Sequence, residues 1–146
     1  KSAIWERVYR EGSWTPNSEV TKYQEDQAIN GFSLTTDAGG TLHLAWSEGV
    51  MVDNAHSDLQ IRYQTGSGKT WGPEQEVHTS TAASRHPLAG MGEKKAYIVW
   101  QEIFAAGGPL DDHEVFVSHQ VDDPPKFYHS YLPLIGNEST STNYPP

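Results

Sequence analysis

An internal repeat constrains this chain more than any other feature. Laid over itself at a constant spacing of 54 residues, the sequence sets Leu34 on Leu88, Leu44 on Ile98, Trp46 on Trp100, Glu48 on Glu102, Asp58 on Asp112 and Ile61 on Val115 without a gap. A second match, at a spacing of 57, lays Trp14-Thr15-Pro16-Asn17-Ser18-Glu19-Val20 over Trp71-Gly72-Pro73-Glu74-Gln75-Glu76-Val77, a shared W-x-P-x-x-E-V. Repeats of this length arise when one supersecondary unit cannot bury its apolar face alone and stacks on copies of itself.

Within each repeat the local period is two. In Thr41-Leu42-His43-Leu44-Ala45-Trp46-Ser47 the larger apolar residues alternate with smaller or polar ones, the pattern of a strand with one face more deeply buried. Its counterpart Lys95-Ala96-Tyr97-Ile98-Val99-Trp100-Gln101 is apolar on both faces, as suits a strand between two neighbouring layers. Asp37-Ala38-Gly39-Gly40 reads as a hairpin turn, because glycine supplies the positive φ that tight turns need. Gln60-Ile61-Arg62-Tyr63 and Glu114-Val115-Phe116-Val117 read as third strands, and Thr65-Gly66-Ser67-Gly68-Lys69 as the turn into a fourth strand led by Trp71. No stretch has helical periodicity with a cap.

The expected fold class is all-β. Four short strands in roughly 50 residues make the unit of a β-propeller blade. The chain divides into a partial blade at 1–20, a blade at 31–78 and a blade at 85–127, followed by a strand-like segment and a polar tail over 128–146. About two and a half four-stranded blades are incomplete as a ring, since propellers typically use about four to eight. The missing blades are expected from the same polypeptide, from identical copies or from a partner chain. A twisted β-meander or sandwich is the alternative architecture.

Composition removes several classes of function. With 146 residues the length fits one domain or part of one, and 10 Lys+Arg against 19 Asp+Glu leave a formal charge of −9, which repels phosphate backbones and anionic membrane surfaces. No apolar run approaches the roughly 20 residues of a membrane helix, so no membrane span is expected. The absence of cysteine excludes disulfides, thiolate zinc sites and cysteine nucleophiles. Only 36% of residues are hydrophobic, yet five Trp, seven Tyr and four Phe predict an aromatic-rich core.

The order of these segments resembles the sialidase-like propeller superfamily, whose blades carry the Asp-box or BNR motif S-x-D-x-G-x-T-W. Laid on Gln64-Thr65-Gly66-Ser67-Gly68-Lys69-Thr70-Trp71, the motif keeps Gly68, Thr70 and Trp71 but has Gln64 for Ser and Gly66 for Asp. In the partial blade only Trp14 remains of it, and in the last blade the Trp position falls on Pro125. The resemblance implies a propeller fold. For the catalytic members it implies three arginines clamping a carboxylate, a Tyr nucleophile activated by Glu, and an Asp acid. The chain has only Arg7, Arg10, Arg62 and Arg85. Arg85-His86-Pro87 resembles the R-I-P segment holding the first arginine of that clamp, but a plain loop entering the innermost strand is the simpler reading. No full triad assembles from this chain.

Other candidate residues follow from position. Glu48 and Glu102, each two residues past a repeated Trp, are placed to line one face of a ring, and paired carboxylates suit glycoside hydrolysis when their separation is right. Trp5 lies outside the repeat and is a candidate aromatic platform for a sugar, whereas Trp46 and Trp100 are expected to pack between blades. The loops between second and third strands are acidic, with Asp53 and Asp58 in one and Asp111 and Asp112 in the next; such oxygens suit Ca²⁺, and a solvated charged loop is the simpler reading. No cofactor is expected.

Phe127-Tyr128-His129-Ser130-Tyr131-Leu132-Pro133-Leu134-Ile135 falls outside the blade pattern and resembles the short Tyr-Leu-Pro-Leu-Ile tail of some secreted bacterial proteins. Such a segment can add a strand to an open sheet, in its own chain or a neighbour. The Ser/Thr/Pro-rich end, with Asn137-Glu138-Ser139 as a glycosylation pattern, points to an extracellular or cell-surface location. The expected function is a non-catalytic extracellular module for ligand binding, with a glycan as one ligand class, or for assembly. The alternatives are a fragment of a sialidase-like exo-glycosidase and a self-assembling subunit that completes its blades in trans.

Overall fold

In the computed structural model of the chain, the described residues are 2–22, 27–52, 55–79, 83–92, 95–104, 112–120 and 127–132. Their period-two patterning produces strands alone, and among them there is no helix. The chain opens with β1 (Trp5–Glu6), β2 (Tyr9–Arg10), β3 (Ser13–Trp14) and β4 (Ser18–Glu19), which form one irregular hairpin: β1 pairs with β4 and β2 with β3. At its tip Glu11 (φ 49°) and Gly12 (φ 82°) are both left-handed. Positive φ at both central residues is the turn whose twist matches that of the flanking strands.

Two antiparallel four-stranded meanders follow. Sheet I contains β5 (Gln27–Thr36), β6 (Leu42–Val52), β7 (Ala55–Gly66) and β8 (Gln75–Thr79). Sheet II contains β9 (Ala83–Met91), β10 (Ala96–Phe104), β11 (Asp112–Gln120) and β12 (Phe127–Leu132). One parallel pairing, Leu59 with Ala83, joins the two, and no sheet closes on itself among the described residues. The expected turn at Asp37 is present. Gly40 N–H donates to the Asp37 carbonyl, Thr41 N–H donates to Asp37 Oδ1, and Gly40 takes φ 82°.

The layers stack as hairpin, sheet I, sheet II. Ala45, Ile61, Tyr63 and Val77 on one face of sheet I pack against Ala96, Ile98 and Trp100 of sheet II. On the other face of sheet I, Leu44 and Trp46 pack against Val20 and Ile4 of the hairpin, with Ile29 and Trp71 at the margin. The repeated tryptophans therefore occupy equivalent places, each buried against the layer before it in sequence.

Three local expectations are altered. Phe127–Leu132, left outside the blade pattern by sequence, pairs with β11 in its own chain as the fourth strand of sheet II. Trp71 does not lead a strand: it makes an isolated bridge to Gly66, and β8 begins four residues later, beyond Pro73, which has no N–H to give a ladder. Leu34 and Leu88, matched in sequence, lie on opposite kinds of face. Leu34 pairs with Leu44 on the hairpin side of sheet I, but Leu88 pairs with Val99, one residue out of step, on the side of sheet II away from sheet I. A bulge in β9 opposite Trp100, where His86 is left-handed (φ 53°), shifts the register, and a one-residue shift turns every side chain over.

Candidate functional site

Each repeat builds the same polar clamp. Trp46 is fully buried in sheet I, and its Nε1–H donates to Glu48 Oε2 at 2.9 Å; in sheet II the Trp100 Nε1–H donates to Glu102 Oε1 at 3.2 Å. The spacing of two residues places indole and carboxylate on one face of one strand. A buried indole N–H needs an acceptor, and a glutamate two residues away supplies it.

The two carboxylates differ in their second partners. Glu48, 7% exposed, receives Arg62 Nε at 2.8 Å, and Arg62 is held further by Gln60 Oε1 at 2.5 Å and Glu76 Oε2 at 3.5 Å. All of these belong to sheet I. Glu102, 2% exposed, accepts from Ser84 Oγ at 3.1 Å and meets His78 Nε2 of sheet I at 2.5 Å. Burial pushes its carboxyl up, but the contacts with His78, Trp100 and Ser84 outweigh burial and hold it below the ordinary value. The His78 ring also lies 5.2 Å from Trp100 and 5.9 Å from Phe116, so the contact fastens one sheet to the other.

The remaining sequence candidates are placed as follows. Arg85 pairs with Gln101 across β9 and β10, whereas Ser84 pairs with Glu102. Neighbouring residues of a strand face opposite ways, so Arg85 and Glu102 are on opposite faces of sheet II and form no joint site. The buried Arg85 Nε has no hydrogen-bond partner among the described residues. Tyr63, the fully buried tyrosine of sheet I, is 2.5 Å from His43 Nδ1, and His43 Nε2 is 3.5 Å from Asp37 Oδ2. Burial, with the Asp37 charge beside it, pushes the Tyr63 phenol up to about 12, which leaves it a protonated core residue at neutral pH. Asp112 opens β11, opposite Phe104; Asp111 and Asn137 lie outside the described residues.

An apolar concavity lies between the hairpin and sheet I. It holds about 470 Å³ and is lined by Trp5, Tyr9 and Trp14 from one side and by Phe32, Leu34 and Leu42 from the other. Trp5 is 56% exposed, Phe32 63% and Leu34 53%, so three large apolar side chains face water together. Tyr9 and Trp14 rings meet at 5.3 Å, and the Arg7 guanidinium sits 5.7 Å from the Trp14 ring centre. Trp5 was marked by sequence, but Phe32 and Leu34 were not, because alternation within β5 does not reveal which face lacks a cover.

The Asp-box position has its own geometry. A Cβ on Gly66 would stand 2.8 Å from the Trp71 ring, so glycine at the place of the motif's Asp lets the indole lie flat on the backbone. Gln64, at the place of the motif's Ser, donates from Nε2 to the Gly72 carbonyl at 2.6 Å. The loop is closed as well by Ser67 N–H to the Thr70 carbonyl. Among the described residues no helix is long and apolar enough to cross a membrane. Comparison with protein-family models and with curated protein sequences gives no match.

Proposed function

We propose that this chain is a non-catalytic β-propeller-type module, acting outside the cell in assembly through its open sheet surfaces. The observation that carries this reading is the fate of the two glutamates best placed for catalysis: each is buried and bonded to its own tryptophan, as an internal repeat device rather than a free acid. Three further features support it. Arg85 and Glu102 face opposite ways, Tyr63 is a buried core phenol hydrogen-bonded to a histidine, and the concavity beside Trp5 is apolar and aromatic. A carboxylate-clamping site needs convergent guanidinium groups, and Arg62 is already engaged by Glu48. The propeller reading itself draws on two successive four-stranded meanders at a constant spacing, preceded by a hairpin that stacks as a partial third.

The test is hydrolysis of a fluorogenic sialoside by the chain, with Arg85→Ala as control. No turnover above buffer is expected from either protein. Turnover that disappears with Arg85→Ala overturns the reading in favour of a glycosidase.

A further inference from the structure

Resting on the reading that repeats stack, we propose that the groove beside the hairpin is a strand-acceptor site, filled by the first two strands of a further repeat of this chain's own kind. The occupied interface between sheets I and II provides the comparison. There the first strand of sheet I lies on the first strand of sheet II: Ala89 N–H donates to Ser33 Oγ at 3.1 Å, and a Cβ at Gly31 would stand 3.9 Å from Pro87 Cδ. Pro87 is buried and Ala89 half-buried as a result. By register, the residues of sheet I equivalent to Pro87 and Ala89 are Phe32 and Leu34, which pair with Trp46 and Leu44 as Ala89 pairs with Ile98. Both are exposed, because the two arms of the hairpin cover Leu44, Trp46 and Ile29 but leave Phe32 and Leu34 in water.

The hairpin edge facing the missing strands is unpaired. Among the described residues β1 pairs only with β4, and β2 only with β3. Val20 N–H donates to the Ile4 carbonyl and Thr15 N–H to the Val8 carbonyl, so Ile4 and Val8 spend their backbone groups on the hairpin partner. Antiparallel ladders alternate, and the N–H and C=O of Trp5 and Tyr9 therefore point outward from the edge. An unpaired edge beside exposed apolar side chains is the arrangement that accepts an added strand. The occupant is read from what fills the equivalent place on sheet II. Its first strand lies across Phe32 and Leu34 and presents small residues to them, as β5 presents Gly31 and Ser33. Its second strand hydrogen-bonds to the Trp5 and Tyr9 edge, as β6 does to β7.

A synthetic peptide of residues 27–52, the first two strands of this chain's own repeat, is the probe. It is added to the full chain, and amide hydrogen exchange is followed residue by residue. At saturating peptide the Trp5 and Tyr9 amides are expected to slow at least about tenfold. Leu34→Glu, which alters an exposed side chain, is expected to weaken peptide binding about tenfold while exchange in β6 and β10 stays unchanged. Unchanged exchange at Trp5 and Tyr9 with millimolar peptide overturns the proposal, as does equal protection of the Leu34→Glu protein. Protection of those amides by rising protein concentration without peptide makes a second copy the occupant, and protection by free sialic acid alone makes the groove a sugar site; each overturns the proposed occupant. Sialoside turnover would overturn the non-catalytic reading while leaving the peptide result standing, so the two failures are separable.

Discussion

Toward sheet II, sheet I presents Ala45, Ile61 and Tyr63, all fully buried; toward the hairpin it presents Leu44 and Trp46, buried, next to Leu34 and Phe32, which face water. The two faces belong to the same strands and have similar apolar content. What differs is what is laid over them: a four-stranded sheet on one side and the two arms of one hairpin on the other. The charged groups follow the same division. On the covered side the carboxylate of Glu102 reaches across to His78 of the neighbouring sheet, and on the half-covered side Glu48 finds its cation, Arg62, within sheet I itself. A complete neighbour supplies both the apolar cover and the polar partner, whereas a partial one leaves the sheet to satisfy its own charges.

Substitutions at matched positions should expose this asymmetry. Trp100→Ala is expected to cost about 3–5 kcal/mol in urea denaturation, since a large side chain leaves a closed interface. Trp46→Ala should cost measurably less, because the open groove beside it admits water and relaxation. Equal losses would break the comparison. Next in size, Glu102→Gln is expected to cost about 1–3 kcal/mol by removing a buried charged partner of His78 and Trp100. Glu48→Gln should cost less, because Arg62 keeps Gln60 and Glu76.

The same pair predicts an acid limb. Because the folded Glu102 carboxyl lies below its ordinary value of 4.5, its contribution is fully present above that pH and is lost as pH falls through the lower folded value. Glu102→Gln should flatten that part of the stability curve, and an unchanged acid limb would show that the His78 contact carries no weight.

Gly66→Ala tests the hairpin side from within. Its methyl group would meet the Trp71 ring at 2.8 Å, so a loss of about 1–2 kcal/mol is expected, with a change in Trp71 fluorescence. Smallest of all, Leu34→Ser should change the melting behaviour of the isolated chain by no more than about 0.5 kcal/mol, because the side chain is already in water. A large loss there would mean that the groove is closed in solution.

Much of this was legible in the sequence. The constant spacing placed Trp46 and Trp100 in equivalent packed sites, and the glycines after Asp37 announced the hairpin turn; Glu48 and Glu102 were matched as a pair but expected to line a ring face, whereas both are buried. Four things were not legible. The bulge at His86 reverses the face of Leu88, and no sequence pattern marks a single extra residue in a strand. The partnership of His78 with Glu102 joins two sheets and depends on their relative register, which a linear period does not encode. The exposure of Phe32 and Leu34 reflects a missing cover rather than anything in β5 itself. The segment at Phe127 was read as a strand able to extend an open sheet, but its place as the fourth strand of sheet II was not, because its aromatic, polar-studded pattern departs from that of β8, its counterpart in sheet I.

The most direct measurement is amide hydrogen exchange on the isolated chain, compared between the hairpin edge and β10. The Trp5 and Tyr9 amides are predicted to exchange near the unprotected rate, while those of Ile98 and Trp100 exchange only through global unfolding. Protection at Trp5 and Tyr9 equal to that of β10 would contradict the open edge, and with it the unequal covering of the two faces of sheet I.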